Sequence, residues 1–327
     1  MKCYIIDDEM ILSGANLSEE YFSDRIDRYL CIQNGGNGLV EFYADVFKVL
    51  SQHSYTYDPG SRNSLTAPSS PSRKDLIRSL SKLFTVPQDS DPVNSVGTSS
   101  SSNAVAFAVP TFQAPRHFCK CLSRKEYMPL DVDVLQSFLS IVHRLYPDDV
   151  TLRMSSAYLN LTNGLRRVLG KSHLLTAGRI SHGFKPKKKA GNKGREWIPT
   201  VYAQLARRTA QHSSIWFYQR EGWTYHAKGI WLTRGEIDKR FSIPDASSLI
   251  ATVHGSGNYG GRSTYKDVES NMLLVYNDAS DDSMEVKAAF TDEWNRFESF
   301  AQPPEKEEVR KAPWHVRSIL PFCRSFF

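Results

Sequence analysis

The chain has 327 residues, 40% of them hydrophobic, with 41 Lys and Arg against 35 Asp and Glu, a formal net charge of +6. That length suits two domains or one two-lobed unit, and the mild positive excess suits phosphates, nucleotides or acidic lipid surfaces without choosing among them. There is no run of about 18 apolar residues to cross a bilayer as a helix. The cysteines Cys3, Cys31, Cys119, Cys121 and Cys323 are too few and too odd in number for a disulfide framework.

The chain opens in strand-like sequence, Lys2-Cys3-Tyr4-Ile5-Ile6-Asp7, without a signal or transit segment. Residues 2–13 read as two short strands around the turn Asp7-Asp8-Glu9. Leu39, Phe42, Val46 and Val49 recur at helical spacing and predict a helix over 37–52. Ser, Pro, Asn and Gly then dominate 54–103, too little apolar surface to offset chain entropy, so this span reads as a disordered insertion. One amphipathic piece in it, 75–84, has a helical pattern. Order resumes near 104. Helices are predicted at 131–146, near 161–169, at 199–212 and at 283–299, and strands at 149–154, 173–177, 214–219, 225–232, 249–254 and near 270–276. This alternation indicates an α/β sandwich with a mixed sheet. The expected division is 1–53, the insertion 54–103, a second folded part 104–300 and a tail 301–327.

Two distant segments share a pattern. Ile11-Leu12-Ser13-Gly14-Ala15-Asn16 resembles Val253-His254-Gly255-Ser256-Gly257-Asn258, and an acid follows each Asn by eleven residues, Asp27 and Glu269. An apolar strand follows each acid, so a duplicated half-domain is expected. Upstream of the second copy stands Tyr225-His226-Ala227-Lys228. On one strand His226 and Lys228 would share a face. There an imidazole could attack phosphorus or protonate a leaving oxygen while the ammonium neutralises phosphate oxygens.

An HxK pair, a GSxN loop and a later acid, given twice, resemble the signature of the phospholipase D superfamily. The second set is His226, Lys228, Gly255, Ser256, Asn258 and Glu269. The first is Lys2, Asp7, Ser13, Gly14, Asn16 and Asp27, and by the family pattern its histidine would precede Met1, as in a truncated chain with an incomplete first lobe. Within the superfamily the chain is most similar to eukaryotic phosphatidylglycerophosphate synthases. Lys2 to Asp8, Ser13-Gly14-Ala15-Asn16-Leu17-Ser18, Tyr21-Phe22, Asp27-Arg28-Tyr29, Ser155 to Thr162 and Trp223 to Trp231 carry that resemblance. Two departures stand out. Thr233 takes the place of the second motif's Asp, and Lys228 to Asn258 is 16 residues longer than Lys2 to Asn16.

The resemblance implies a pseudo-two-fold α/β fold with mixed sheets, transferring a phosphatidyl group from CDP-diacylglycerol to glycerol 3-phosphate through a phosphohistidine. His226 would be the acid and base, Lys2, Lys228, Asn16 and Asn258 the phosphate clamp, and Asp27 and Glu269 the orienters of imidazoles. Asp7 joins the catalytic set, and Ser13, Gly14, Gly255, Ser256 and Ser263 line the substrate. It implies no metal or other cofactor, a peripheral place on an anionic membrane surface at the mitochondrial inner membrane, and no nucleic acid partner. A hydrolytic phosphodiesterase of the same superfamily and a non-catalytic pseudoenzyme are the alternatives. The basic loop 183–196 and the aromatic tail are the features suited to a lipid surface.

Overall fold

The computed structural model describes residues 1–34, 38–60, 65–70, 72–84, 104–115, 130–170, 172–184, 197–209, 213–235, 241–304, 313–314 and 317–318. In chain order the strands are β1 (Cys3–Ile6), β2 (Glu9–Ser13), β3 (Arg25–Ile26), β4 (Tyr29–Ile32), β5 (Thr56–Tyr57), β6 (Leu65–Thr66), β7 (Ala106–Gln113) and β8 (Val150–Ser156). They continue as β9 (Ser172–Ala177), β10 (Ser214–Tyr218), β11 (Thr224–Tyr225), β12 (Lys228–Arg234), β13 (Leu249–Gly255), β14 (Glu269–Tyr276) and β15 (Ala301–Gln302). Among the described residues, eight strands make one mixed sheet in the order β15-β10-β9-β8-β12-β13-β14-β7. Its β8, β9 and β10 wing is parallel, and from β8 onward through β12, β13, β14 and β7 every pairing is antiparallel.

Both faces of this sheet are covered. One core gathers Leu152, Leu174, Ile230 and Val253 with Leu135 and Leu139 of the helix Asp131–Leu145, Leu165 of the helix Asn163–Val168 and Val46 of the helix Leu39–Gln52. The other gathers Trp231, Met272 and Leu274 with Met10 and Leu12 of β2 and with Trp294 and Phe297 of the helix Asp282–Glu298. Double coverage explains why β8 and β9 are buried at every residue. Their polar side chains are therefore paired: the Arg153 guanidinium donates to the carbonyls of Phe241 and Ser242 and to the Thr233 hydroxyl.

The internal repeat is visible in strand register. The small sheet β1-β2-β4 and the segment β12-β13-β14 of the large sheet are both antiparallel meanders. Cys3 faces Leu12 and Ser13 faces Tyr29 in the first. Gly229 faces His254 and Gly255 faces Asn271 in the second. With Lys2 set on Lys228, and Asn16 and Asp27 on Asn258 and Glu269, these are the same pairs. The 16 extra residues of the second copy therefore fall in the β12–β13 connection, and the strands they join keep their pairing.

Four expectations need correction. The helix Arg73–Phe84 lies inside the span read as disordered, yet it buries Ile77 and Leu80 in the first core, so the disordered reading fails there; 85–103 lie outside the described residues. The single strand expected over 225–232 is two, β11 and β12, interrupted at His226 and Ala227. The strand β7 was not predicted. It takes the sheet edge beside β14, where Pro110, lacking a donor, is tolerated. The boundary set at 300 also cuts short the ordered chain, since Ala301 pairs with Tyr218.

Candidate active site

The interruption before β12 is what builds the site. β11 runs parallel to β3, with Thr224 beside Arg25 and Tyr225 beside Ile26, and the His226 amide continues the pairing by donating to the Ile26 carbonyl at 2.8 Å. The next residue of the first repeat, Asp27, thereby meets the histidine of the second. Asp27 Oδ2 lies 2.7 Å from His226 Nδ1 and 3.0 Å from Lys228 Nζ. Lys228 Nζ also lies 2.6 Å from Nδ1 and donates to the His226 carbonyl. The carboxylate is fully enclosed and its other oxygen accepts the Arg28 amide at 2.9 Å.

Burial and charge set the protonation states. Burial works to raise the Asp27 carboxyl, but the Lys228 charge, the His226 hydrogen bond and the Arg28 amide together hold it below its ordinary value. Burial first, then the Lys228 charge, push His226 down to about 4 against the opposing pull of Asp27. Burial likewise brings Lys228 down to about 8, with Asp27 opposing. At neutral pH the set is therefore a carboxylate, a neutral imidazole and an ammonium. A carboxylate only accepts and an ammonium only donates, and both face Nδ1; with the Lys228 protons given to Asp27 and to the His226 carbonyl, Nδ1 gives its proton to Asp27 and Nε2 keeps its lone pair.

Gly14 closes over this group. A Cβ there would stand 2.6 Å from Lys228 Nζ and 2.7 Å from Asp27 Oδ1, so no larger residue fits without displacing the pair. Tyr21 and Tyr158 present their rings edge-on to His226, with centroids at 5.3 and 5.7 Å. The Tyr21 hydroxyl lies 3.1 Å from Nδ1 and 3.4 Å from Nε2.

No family model matches the chain. A probable CDP-diacylglycerol–glycerol-3-phosphate 3-phosphatidyltransferase of Dictyostelium discoideum is 28% identical over 302 residues, 84% of this chain and 48% of its own. The corresponding Saccharomyces cerevisiae transferase is 25% identical, over 96% of this chain and 61% of its own. The human mitochondrial one is 25% identical, over 84% and 51%. The chain thus spans about half to three fifths of these relatives. Among solved structures, the phosphatidylserine synthase of Haemophilus influenzae matches 98% of this chain and 67% of its own, with TM-score 0.63 and 15% identity. The chain is a homologue of these phosphatidyltransferases and shares the fold of the Haemophilus influenzae phosphatidylserine synthase.

On this phosphatidyltransferase homologue, the residues singled out from sequence are only partly brought together. His226, Lys228, Asp27 and Gly14 are in direct contact or adjacent. Lys2 and Glu269 lie near enough for their charges to act on Lys228, and Glu269, buried, has the Met1 amine 3.7 Å away. Asn258 is held close to this region through its backbone: its amide donates to the Ser263 hydroxyl and its carbonyl accepts from Ser156. Its Oδ1 is buried without a partner. Ser13 and Ser256 are buried but their hydroxyls serve backbone groups, of Arg28 and Ala15 and of Ser270. Gly255 has φ 153 with Ser270 and Asn271 where a Cβ would go. Asn16 is exposed on the loop after β2.

Asp7 does not join the site. It is exposed in the turn after β1, at φ 54, with the whole strand between it and Lys2. Its counterpart Thr233 is also at the distant end of its strand, holding Arg153. Sequence reasoning missed Tyr21, Arg25 and Tyr158. Tyr21 and Tyr158 stood in the segments carrying the resemblance, but nothing in their spacing aims them at His226.

Proposed function

We propose that the protein transfers a phosphatidyl group from CDP-diacylglycerol to glycerol 3-phosphate, giving phosphatidylglycerophosphate and CMP, and works peripherally at the mitochondrial inner membrane. The observation that carries this reading is the Asp27–His226–Lys228 triangle, a neutral imidazole beside an ammonium on one buried carboxylate. The names of the relatives support the substrates and the compartment.

An imidazole nitrogen attacks the phosphorus, a P–N bond forms and the P–O bond to CMP breaks. The acceptor hydroxyl then attacks, the P–N bond breaks and the hydroxyl proton passes to a base. His226 Nε2, with its lone pair free and Nδ1 held by Asp27, is equipped either for attack or, where another imidazole carries the phosphatidyl group, for taking that proton. Lys228 and Lys2 offset charge on the non-bridging oxygens. Leu17 and Phe22, exposed on the stretch from Asn16 to Asp27, give this region an apolar rim suited to a lipid surface. The basic loop 185–196 and most of the tail lie outside the described residues.

The test is a vesicle assay on the full protein with labelled CDP-diacylglycerol and either glycerol 3-phosphate or water as acceptor. Labelled phosphatidylglycerophosphate is expected, with at least a ~10²-fold loss in His226→Ala. Hydrolysis alone would move the assignment to a phosphodiesterase. Rapid acid-free quenching then assigns His226: a phosphoprotein adduct that persists in His226→Ala gives it proton transfer, and loss of the adduct gives it attack.

A further inference from the structure

Arg25 is the residue that the transfer reading leaves unused. It sits on β3, one residue before the carbonyl that anchors His226. Its side chain is 15% exposed and reaches the imidazole's surroundings: Nη1 donates to the Tyr21 hydroxyl at 3.3 Å, and the guanidinium carbon lies 4.8 Å from the Tyr21 ring centroid. Nη2 pairs with Glu20 at 2.6 Å, but Glu20 is 42% exposed and water competes for it. Nε is buried and has no partner. A buried unmatched donor on a cation is costly unless something arrives to accept from it. Tyr158 presents its ring edge to His226 with centroids 5.7 Å apart. The Arg25 charge acts on both Tyr158 and His226.

We propose that Arg25, beside the Tyr21 hydroxyl, binds the phosphate ester that does not react, that of the acceptor. Nε, free, and Nη2, once the exposed Glu20 gives way to the ligand, form a guanidinium edge that matches two oxygens of a phosphomonoester, which a point charge does not. Lys228 and Lys2 serve the reacting phosphorus and Arg25 the second phosphate, so the two phosphates have separate cations. The site selects a phosphorylated alcohol over water or an uncharged alcohol. This inference rests on the transfer reading above for its enzymology, but its binding component does not.

Steady-state kinetics on the full protein compare wild type, Arg25→Gln, Arg25→Lys and Glu20→Gln, each checked for an unchanged melting curve. Arg25→Gln should raise the acceptor KM by ~10–100-fold, the size of a lost charge-assisted hydrogen bond, with the pH profile in place. Arg25→Lys should recover part of that, and Glu20→Gln should not raise the KM. If CMP release without acceptor slows instead, the second phosphate is that of the departing nucleotide and the subsite stands with its source reassigned. A loss in kcat alone with a moved pH profile would mean that Arg25 merely tunes His226, and would overturn the proposal. Calorimetric titration with glycerol 3-phosphate, without CDP-diacylglycerol, separates the two readings. Binding by wild type that Arg25→Gln abolishes sustains the subsite even if no transfer is seen, and equal binding by both overturns it.

Discussion

His254 Nε2 lies 3.0 Å from the carbonyl oxygen of Leu12, the residue that holds the same place in the other repeat. Both are fully buried, so the two meanders touch through equivalent positions, and the contact is a hydrogen bond in an apolar setting. Replacing His254 by Ala removes that bond and leaves a cavity. A loss of ~2–4 kcal/mol is expected in urea unfolding. A midpoint within error of wild type would mean that the seam between the repeats does not depend on this pair.

The buried histidines make stability depend on pH. Burial holds His226 down to about 4, His182 down to about 3, and His254 well below its ordinary value. The unfolded chain takes up protons near pH 6.5 while the folded state does not. Stability is therefore complete above that pH and falls as pH drops, by ~1.4 kcal/mol per pH unit for each histidine. For His226 the loss continues to about pH 4 and for His182 to about pH 3. Urea midpoints should be level from pH 7 to 8 and decline steeply from 6 to 5. A level curve between 7 and 5 would contradict the burial of these rings.

In kcat/KM, which reports the free enzyme, the acid limb set by His226 should lie near pH 4, not near 6.5. Asp27→Asn removes the group that raises the imidazole and fixes its tautomer, so the limb should not rise, and kcat should fall by ~10²–10⁴. A limb at 6.5 in wild type would show that His226 is more hydrated than its neighbours suggest.

Gly14→Ala tests the close approach over the ion pair. The added methyl meets Lys228 Nζ and Asp27 Oδ1, so melting should fall by ~1–3 kcal/mol and transfer by more than that loss explains. Gly60→Ala, exposed with its nearest neighbour at 3.4 Å, is the control.

Arg28 ties the halves together beside the site. Its side chain is buried, paired with Glu293 at 2.7 Å, donating to the carbonyls of Lys228 and Val253, and 4.1 Å from the Trp231 ring centroid. Arg28→Met should cost ~3–5 kcal/mol because Glu293 and two carbonyls lose their partner. A double-mutant cycle with Glu293→Gln should show coupling of at least ~0.5 kcal/mol; additive effects would mean the ion pair contributes little.

Much of this was legible in the chain. The repeat was visible because small-residue loops and acids recur at one spacing, and register preserved that spacing as Ser13 opposite Tyr29 and Gly255 opposite Asn271. The helices at 39–52 and 131–145 were visible through their apolar stripes. What local pattern could not show was pairing across the halves. Asp27 was expected to orient an imidazole, but β3 and β11, two residues each, are too short to announce the contact that brings it to His226. Asp7 was placed at the site by motif spacing, and the length of β1 keeps it away. The edge strand β7 was hidden by Pro110 and by the polar stretch before it.

The reach of Asp27 across 199 positions to His226 makes the chemistry an indicator of how the repeats are seated. Neither repeat holds both the imidazole and its carboxylate, so a slight parting of the two meanders would silence the site while each kept its own strands. Activity should then vanish earlier than secondary structure on gentle heating, and two fragments divided in the 85–103 span would be inert apart and competent when mixed.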